Sequence, residues 1–220
     1  YKLQRPFRNL RVLPDGILFI GGQTLSDKKI KVLTLGDMPL LPSGVGTQSK
    51  YMIDALLSSG KFDVISLGGA IDHPNYDPIK VDHPKGDWVI FPVKGYGDAN
   101  MIRAIMTMHK PDILWFMTDP RFYEWLWEIE NEVRKHIPMV YYHVWDNFPY
   151  PRFNKRFYDS NDYIATISKV TSEAVRNVAP EVKEKYIPHA VNTDIFRKYN
   201  RTPEESSEVK KMKDTQPSLE

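Results

Sequence analysis

Short runs of β-branched and apolar residues alternate along the chain with longer stretches in which apolar residues recur every three or four positions. Ile30-Lys31-Val32-Leu33-Thr34-Leu35 ends at Gly36 and predicts a buried strand. A loop over 37–46 separates it from a helix predicted over 47–59, with Met52, Ala55 and Leu56 on one face and Gly60 as its stop. Further strands are predicted at 63–67, 88–91, 113–117, 139–144, 163–167 and 185–187. Between them, Asp98 precedes a helical stripe of Met101, Ile102, Ile105 and Met106. Asp119-Pro120 opens a helix with Phe122, Leu126, Ile129 and Val133 on its inner face. Ser168 caps a helix carrying Ala174, Val175 and Val178.

Strands that alternate with helices imply βαβ crossovers. The expected fold is therefore α/β: a doubly wound, mostly parallel, Rossmann-like sheet with helices on both faces, over about residues 29–197. Residues 1–28 read as an extension, with one short strand between the glycines of 16–22. Residues 198–220, rich in Glu, Lys, Ser and Pro, read as a linker or disordered tail. In such sheets ligands sit beyond the carboxyl ends of the strands, where strand order reverses, so the loops at that edge matter most.

Composition narrows the classes. The 220 residues are 41% hydrophobic and 26% charged, an ordinary globular mix able to bury a core without staples. There is no cysteine, which removes disulfides and thiolate metal sites and fits a reducing, cytoplasmic setting. A formal net charge of +2 does not announce a nucleic-acid binder. No apolar run approaches the roughly 20 residues of a membrane span.

Four loops hold candidate chemistry. Gly44-Val45-Gly46-Thr47, after Pro42-Ser43, puts two glycines at a helix start, where free amides and the helix dipole favour a phosphate. It is neither a dinucleotide fingerprint nor a P-loop, and the plain alternative is a turn that needs glycine geometry. His143 stands at the carboxyl end of a strand with Trp145 and Asp146 behind it. An imidazole there can donate to a sugar hydroxyl, or it can be a core histidine satisfied by its neighbours. Trp145 and Tyr150 can stack on a sugar ring, and Asp146 can orient an acceptor hydroxyl or cap a turn. Asp72, His73, Asp77, Asp82 and His83 gather acids and imidazoles in a Pro-rich connection, but their spacing matches no ligand template and no metal is expected. Arg152, Lys155 and Arg156 interleave with Phe153, Phe157 and Tyr158. That pattern suits an anionic lipid headgroup at a peripheral membrane contact, a phosphorylated acceptor or nucleic acid, or else a solvated helix face with a buried aromatic side. No Gly-x-Ser-x-Gly or Ser-His-Asp arrangement suggests hydrolysis.

Three places in order — the first strand and loop Lys31–Thr47, the strand ending in His143, and Ile164-Ala165-Thr166-Ile167-Ser168 followed by Ile187-Pro188-His189-Ala190-Val191-Asn192-Thr193-Asp194-Ile195-Phe196 — carry a resemblance. The chain resembles the N-terminal, acceptor-side domain of a GT-B glycosyltransferase of the retaining, family-four-like class. His189-Ala190 stands where that group has Asn-Gly, and Asn192 where it has aspartate. The resemblance implies sugar transfer from a nucleotide-sugar donor to a carbohydrate, lipid or protein acceptor, with retention and no required cofactor. It implies that His143 is catalytic and touches the donor sugar. It implies that the loop Gly44, Val45, Gly46 and Thr47, through its two glycines, meets the donor's diphosphate. Trp145, Asp146, Tyr150 and Arg152, read from their own place and chemistry, are expected to contact acceptor or sugar. A donor-binding second domain carrying paired glutamates is expected to complete the site, leaving this chain inactive by itself. The alternative is a non-catalytic Rossmann-like binding module for a carbohydrate or protein partner.

Overall fold

The computed structural model describes residues 28–196, together with 11–12, 18–19, 202–204, 206–208 and 211. The chain forms two compact units, 1–189 and 190–220. The first contains a two-stranded antiparallel pair, β1 (Arg11–Val12) and β2 (Leu18–Phe19), and one large sheet. The rest of the strand expected between Gly16 and Gly22 lies outside the described residues.

The large sheet has eight strands: β3 (Ile30–Asp37), β4 (Phe62–Gly69), β5 (Ile79–Val81), β6 (Trp88–Pro92), β7 (Ile113–Thr118), β8 (Met139–His143), β9 (Tyr163–Thr166) and β10 (Glu184–Tyr186). Their spatial order is β10-β9-β8-β7-β3-β4-β6-β5, parallel throughout except that β5 pairs antiparallel with β6. From β3 the chain first winds outward through β4 and β6, then returns to the other side of β3 with β7 and continues to β10. The order therefore reverses between β3 and β7, and at such a switch point sheets of this kind form their ligand crevice beyond the carboxyl ends.

Helices α1 (Gly44–Ser58), α2 (Ala99–His109), α3 (Glu124–Glu128), α4 (Glu130–Val133), α5 (Lys155–Asp159) and α6 (Lys169–Val178) supply the crossovers. Strand alternation divides the core between the two faces. Leu33, Leu35, Leu114, Phe116, Met139, Tyr141 and Ile164 point into one cluster with Ile102, Leu126, Phe157 and Val175. Val32, Trp115, Met117, Tyr142 and Ala165 point to the other face, where Val45, Met52 and Leu56 of α1 pack. On that second face Thr34 Oγ1 donates to Ser66 Oγ (2.8 Å), and Trp88 Nε1 donates to the same oxygen (2.9 Å), so the buried polar atoms of three adjacent strands satisfy one another.

Several local expectations meet corrections. Helix α1 begins at Gly44, three residues before the predicted start, because Ser43 caps it by accepting from the Gly46 amide. The single helix predicted after Asp119 is broken: a 3-10 turn (Pro120–Tyr123) precedes α3, and α4 follows a kink at Ile129. Phe122 consequently faces outward, 51% exposed, while Tyr123 is buried in its place. Asp98 and Ser168 cap α2 and α6 as their sequence context predicts. In the second unit, Asn192 Oδ1 accepts from the Asp194 amide at 2.9 Å, so the residue that departs from the aspartate pattern serves a turn. Pro203, Glu204, Ser206–Glu208 and Lys211 are helical, within the segment expected to be a tail.

Candidate functional site

The crevice between β3 and β7 is rimmed by polar side chains tied to one another. Asp37 ends β3, and its carboxylate accepts from Ser43 Oγ (2.9 Å) and from the Tyr96 hydroxyl (3.1 Å). One anion thus fastens the end of the central strand to the cap of α1 and to the loop before α2. Burial, then the neighbouring Asp37 charge, pushes the Tyr96 hydroxyl up to about 12, so it remains a proton donor. The Tyr96 ring stacks on exposed Phe122 (4.6 Å between centroids, 18°).

Across the crevice β7 ends at Thr118, whose φ is +118°. A β-branched residue rarely holds that backbone, and such strain persists only where surroundings over-determine it. Two buried phenols do so here. Tyr123 donates to the Met117 carbonyl (2.6 Å), and Tyr141 donates to the Thr118 carbonyl. Asp119 follows and caps the 3-10 turn through the Arg121 amide (2.9 Å). Arg121 grips the same carboxylate with Nε (2.9 Å) and Nη2 (2.6 Å), and its guanidinium lies 6.0 Å from the Trp145 ring centre. Partial burial works to raise the Asp119 carboxyl, but the Arg121 hydrogen bonds and charge overcome it and hold Asp119 below the usual carboxylate range.

The glycine loop borders this rim, and its two glycines differ. At Gly46 a Cβ would stand 2.8 Å from the Met38 carbonyl oxygen and 3.0 Å from that of Leu41, so the glycine lets its own loop close. At Gly44 a Cβ would meet nothing within 4 Å. Gly46 N–H donates to Ser43 Oγ and Thr47 N–H to the Ser43 carbonyl. The amides of Gly44 and Val45, in the first turn, have no partner among the described residues.

His143 reaches the same edge of the sheet but not its surface. It lies two residues beyond Tyr141, so strand alternation turns it into the aromatic core, where it is 0% exposed. Its hydrogen bonds form one directed chain. Asn154 Nδ2 donates to the Tyr158 hydroxyl (3.4 Å), which donates to His143 Nε2 (2.7 Å). Nδ1–H donates to the Tyr141 hydroxyl (3.0 Å), which in turn donates to the Thr118 carbonyl. Burial lowers the imidazole to about 3, against a weaker opposite pull from Asp119. Neutral and doubly bonded, it has no atom facing the crevice. The sugar contact implied by the family resemblance is unavailable to it in this arrangement. What it reaches is the strained carbonyl at the end of β7.

The remaining candidates divide. Trp145 is 8% exposed and packs between His143 and Phe153, presenting a ring face toward Arg121. Asp146 and Arg152 are exposed. Tyr150 is turned to α6, its hydroxyl on Glu173 Oε1 at 2.5 Å. In the basic-aromatic segment Phe157 and Tyr158 are buried, while Lys155 pairs with Asp159 and Arg156 with Glu124. His73 Nε2 donates to the Gly68 carbonyl, and no three His, Asp or Glu side chains converge as a metal set among the described residues. No helix among them is long and apolar enough to cross a membrane. Sequence reasoning missed Asp37, Tyr96 and Arg121 as site residues, and read Asp119 only as a helix start. The one available signal was an acid two residues past each of two predicted strands.

No protein-family model matches the chain, and no curated protein matches it. Solved structures do. One is described as trehalose-6-phosphate from E. coli bound with UDP-2-fluoro glucose. It is 11% identical with a TM-score of 0.51, and the match covers 83% of this chain and 54% of that one. An OtsA apo structure matches at 11% identity and TM-score 0.47, over 76% of this chain and 50% of the other. The α,α-trehalose 6-phosphate synthase from Burkholderia multivorans matches at 11% and 0.41, over 69% and 43%. The chain thus spans about half the length of these structures, and what the first comparison shows is the fold: a mixed α/β, Rossmann-like half of the GT-B kind.

Proposed function

We propose that this chain forms the acceptor-side wall of a retaining glycosyltransferase that takes its sugar from a nucleotide-sugar donor. The observation that carries the reading is the crevice where strand order reverses, with open space over Gly44, two unpartnered amides and the Asp37–Asp119–Arg121 rim. The E. coli neighbour of like fold is described with a UDP sugar bound, which favours the same ligand class here.

On this reading the amides of Gly44 and Val45 donate to diphosphate oxygens and stabilise charge as the sugar–phosphate bond breaks. The acceptor hydroxyl forms the new bond at the anomeric carbon on the face the diphosphate leaves. Its proton passes to the departing phosphate oxygen. Asp119, held anionic by Arg121, accepts a hydrogen bond from an acceptor or sugar hydroxyl, and Trp145 lends an apolar face beside it. His143 acts as a positioning residue through Tyr141 and the Thr118 carbonyl. No cofactor enters, and the opposite wall comes from a second, nucleotide-binding lobe.

The test is product analysis on the full-length protein with a panel of nucleotide sugars. Release of nucleoside diphosphate coupled to a glycoside of unchanged anomeric configuration is expected, and Gly44→Val should reduce it at least tenfold. An inverted product would overturn retention. Nucleotide-sugar binding that is indifferent to Gly44→Val would remove the loop from the site. The enclosed imidazole favours one second reading, a binding module without turnover, for which sugar ligands would bind and no diphosphate would be released.

A further inference from the structure

A groove of about 490 Å³ lies beside the crevice, between the loop after β3 and the loop joining β4 to β5. Met38, Leu40 and Leu41 form one side, and Ile71, Pro78 and Ile79 are prominent on the other. The segment that builds its first side is the one that starts at Asp37 and ends at Ser43, so groove and crevice share a wall. That segment is fixed: the Met38 amide donates to the Gly69 carbonyl (3.0 Å) and the Leu41 amide to the Met38 carbonyl (3.1 Å). Leu40 and Ile79 stay 45% and 37% exposed.

The lining chemistry is selective. No lysine or arginine borders the groove, so an anionic head finds no counter-charge there. The single acid, Asp77, accepts from Asn75 Nδ2 (2.7 Å), and its backbone amide donates to Asn75 Oδ1 (2.7 Å). Asn75 and Asp77 are exposed, whereas His73 is half-buried beside the apolar residues. Its Nε2 is spent on the Gly68 carbonyl (2.9 Å), and its Nδ1 has no partner among the described residues. A mostly apolar pocket with a few polar groups at its edge is the ordinary form of a small-molecule site.

We propose that this groove is the acceptor subsite and that it receives the apolar aglycone of an uncharged acceptor, with the His73 imidazole bonding a hydroxyl beside the aglycone. The assignment of an acceptor role rests on the glycosyltransferase reading. It adds a substrate class, since a groove of this lining would discriminate against sugar phosphates and free sugars.

The probe is n-octyl β-D-glucoside below its micelle concentration, titrated by calorimetry into the full-length protein, with methyl β-D-glucoside in parallel. Octyl glucoside should bind at least tenfold more tightly than methyl glucoside. The double change Leu40→Ser with Ile79→Thr should weaken octyl glucoside at least tenfold while leaving the affinity for UDP unchanged. Both positions are partly exposed, and circular dichroism should show an unaltered fold. Met108→Ser, at an exposed apolar residue of α2, should leave octyl glucoside affinity as it was. Equal affinities for the two glucosides, or equal losses in the Met108 variant, would overturn the groove. Bound UDP with no octyl glucoside binding would overturn the groove alone. Bound octyl glucoside with no UDP binding would overturn the acceptor role together with the sugar-transfer reading.

Discussion

Acidification from pH 7 to pH 5 should weaken this fold chiefly through one imidazole, before its carboxylates titrate. His143 is enclosed, with both nitrogens committed, and burial lowers it to about 3. In the unfolded chain the same group titrates near 6.5. Between those values the unfolded chain takes up a proton that the folded one refuses. Above pH 6.5 both states are neutral and no penalty exists. Below it, stability falls by about 1.4 kcal/mol per pH unit, reaching about 2 kcal/mol at pH 5, and the loss levels off below about 3. Two kcal/mol is a large part of the ~5–15 kcal/mol that holds a domain together. Partial burial lowers His189 as well, so it adds loss of the same sign. Asp119, held low by Arg121, is lost only further down, as pH falls through its depressed folded value. A His143→Gln variant removes the first contribution and keeps the other two. Urea unfolding followed by tryptophan fluorescence at pH 7, 6 and 5 should show the wild type losing about 2 kcal/mol more than the variant over that range. Parallel losses in the two proteins would refute the reasoning, because they would mean that His143 titrates normally and is reached by water.

Other outcomes follow from the same geometry. Gly46→Ala forces a Cβ against two carbonyl oxygens and should cost about 1–3 kcal/mol, whereas Gly44→Ala, facing open space, should stay within about 0.5 kcal/mol; thermal melts separate them. Ser43→Ala removes the α1 cap and one of the two donors to Asp37, and should cost about 1–2 kcal/mol in a urea titration. Arg134 bridges Glu130 and Asp162, and Asp162 also accepts from the Met139 amide at the start of β8. Its replacement by Ala should cost about 2 kcal/mol, between the values for exposed and buried pairs. Arg103→Ala, which breaks an exposed pair with Glu132, should leave the melting midpoint where it was.

The strand-helix alternation was legible because it follows from period-two and period-3.6 apolar patterns, and β3, β7, β8 and α6 match it closely. β5 was not, since Ile79-Lys80-Val81 is too short to show a period and owes its existence to pairing with β6. The sequence after Asp119 predicts a continuous helix because Phe122, Leu126, Ile129 and Val133 keep helical spacing. Tyr123 breaks it by burying its ring and donating to Met117. The place of His143 was half legible. Its position at a strand end is a matter of sequence, and its face follows from Tyr141 by alternation. What seals that face is α5, a five-residue helix too short to announce itself. Asp37 carries no motif, and the Asp119-Pro120 pair announces only a helix start. The two acids become a site only because the sheet order sets β3 beside β7, a fact of topology that local sequence does not encode.

The central claim is that the β3–β7 crevice receives the donor's diphosphate. Amide hydrogen exchange of the full-length protein, with and without UDP, tests it most directly. The account predicts slowed exchange at Gly44 and Val45 and at Arg121, with the β10 edge unchanged. Protection that spares residues 43–47 while appearing at another edge of the sheet would contradict it.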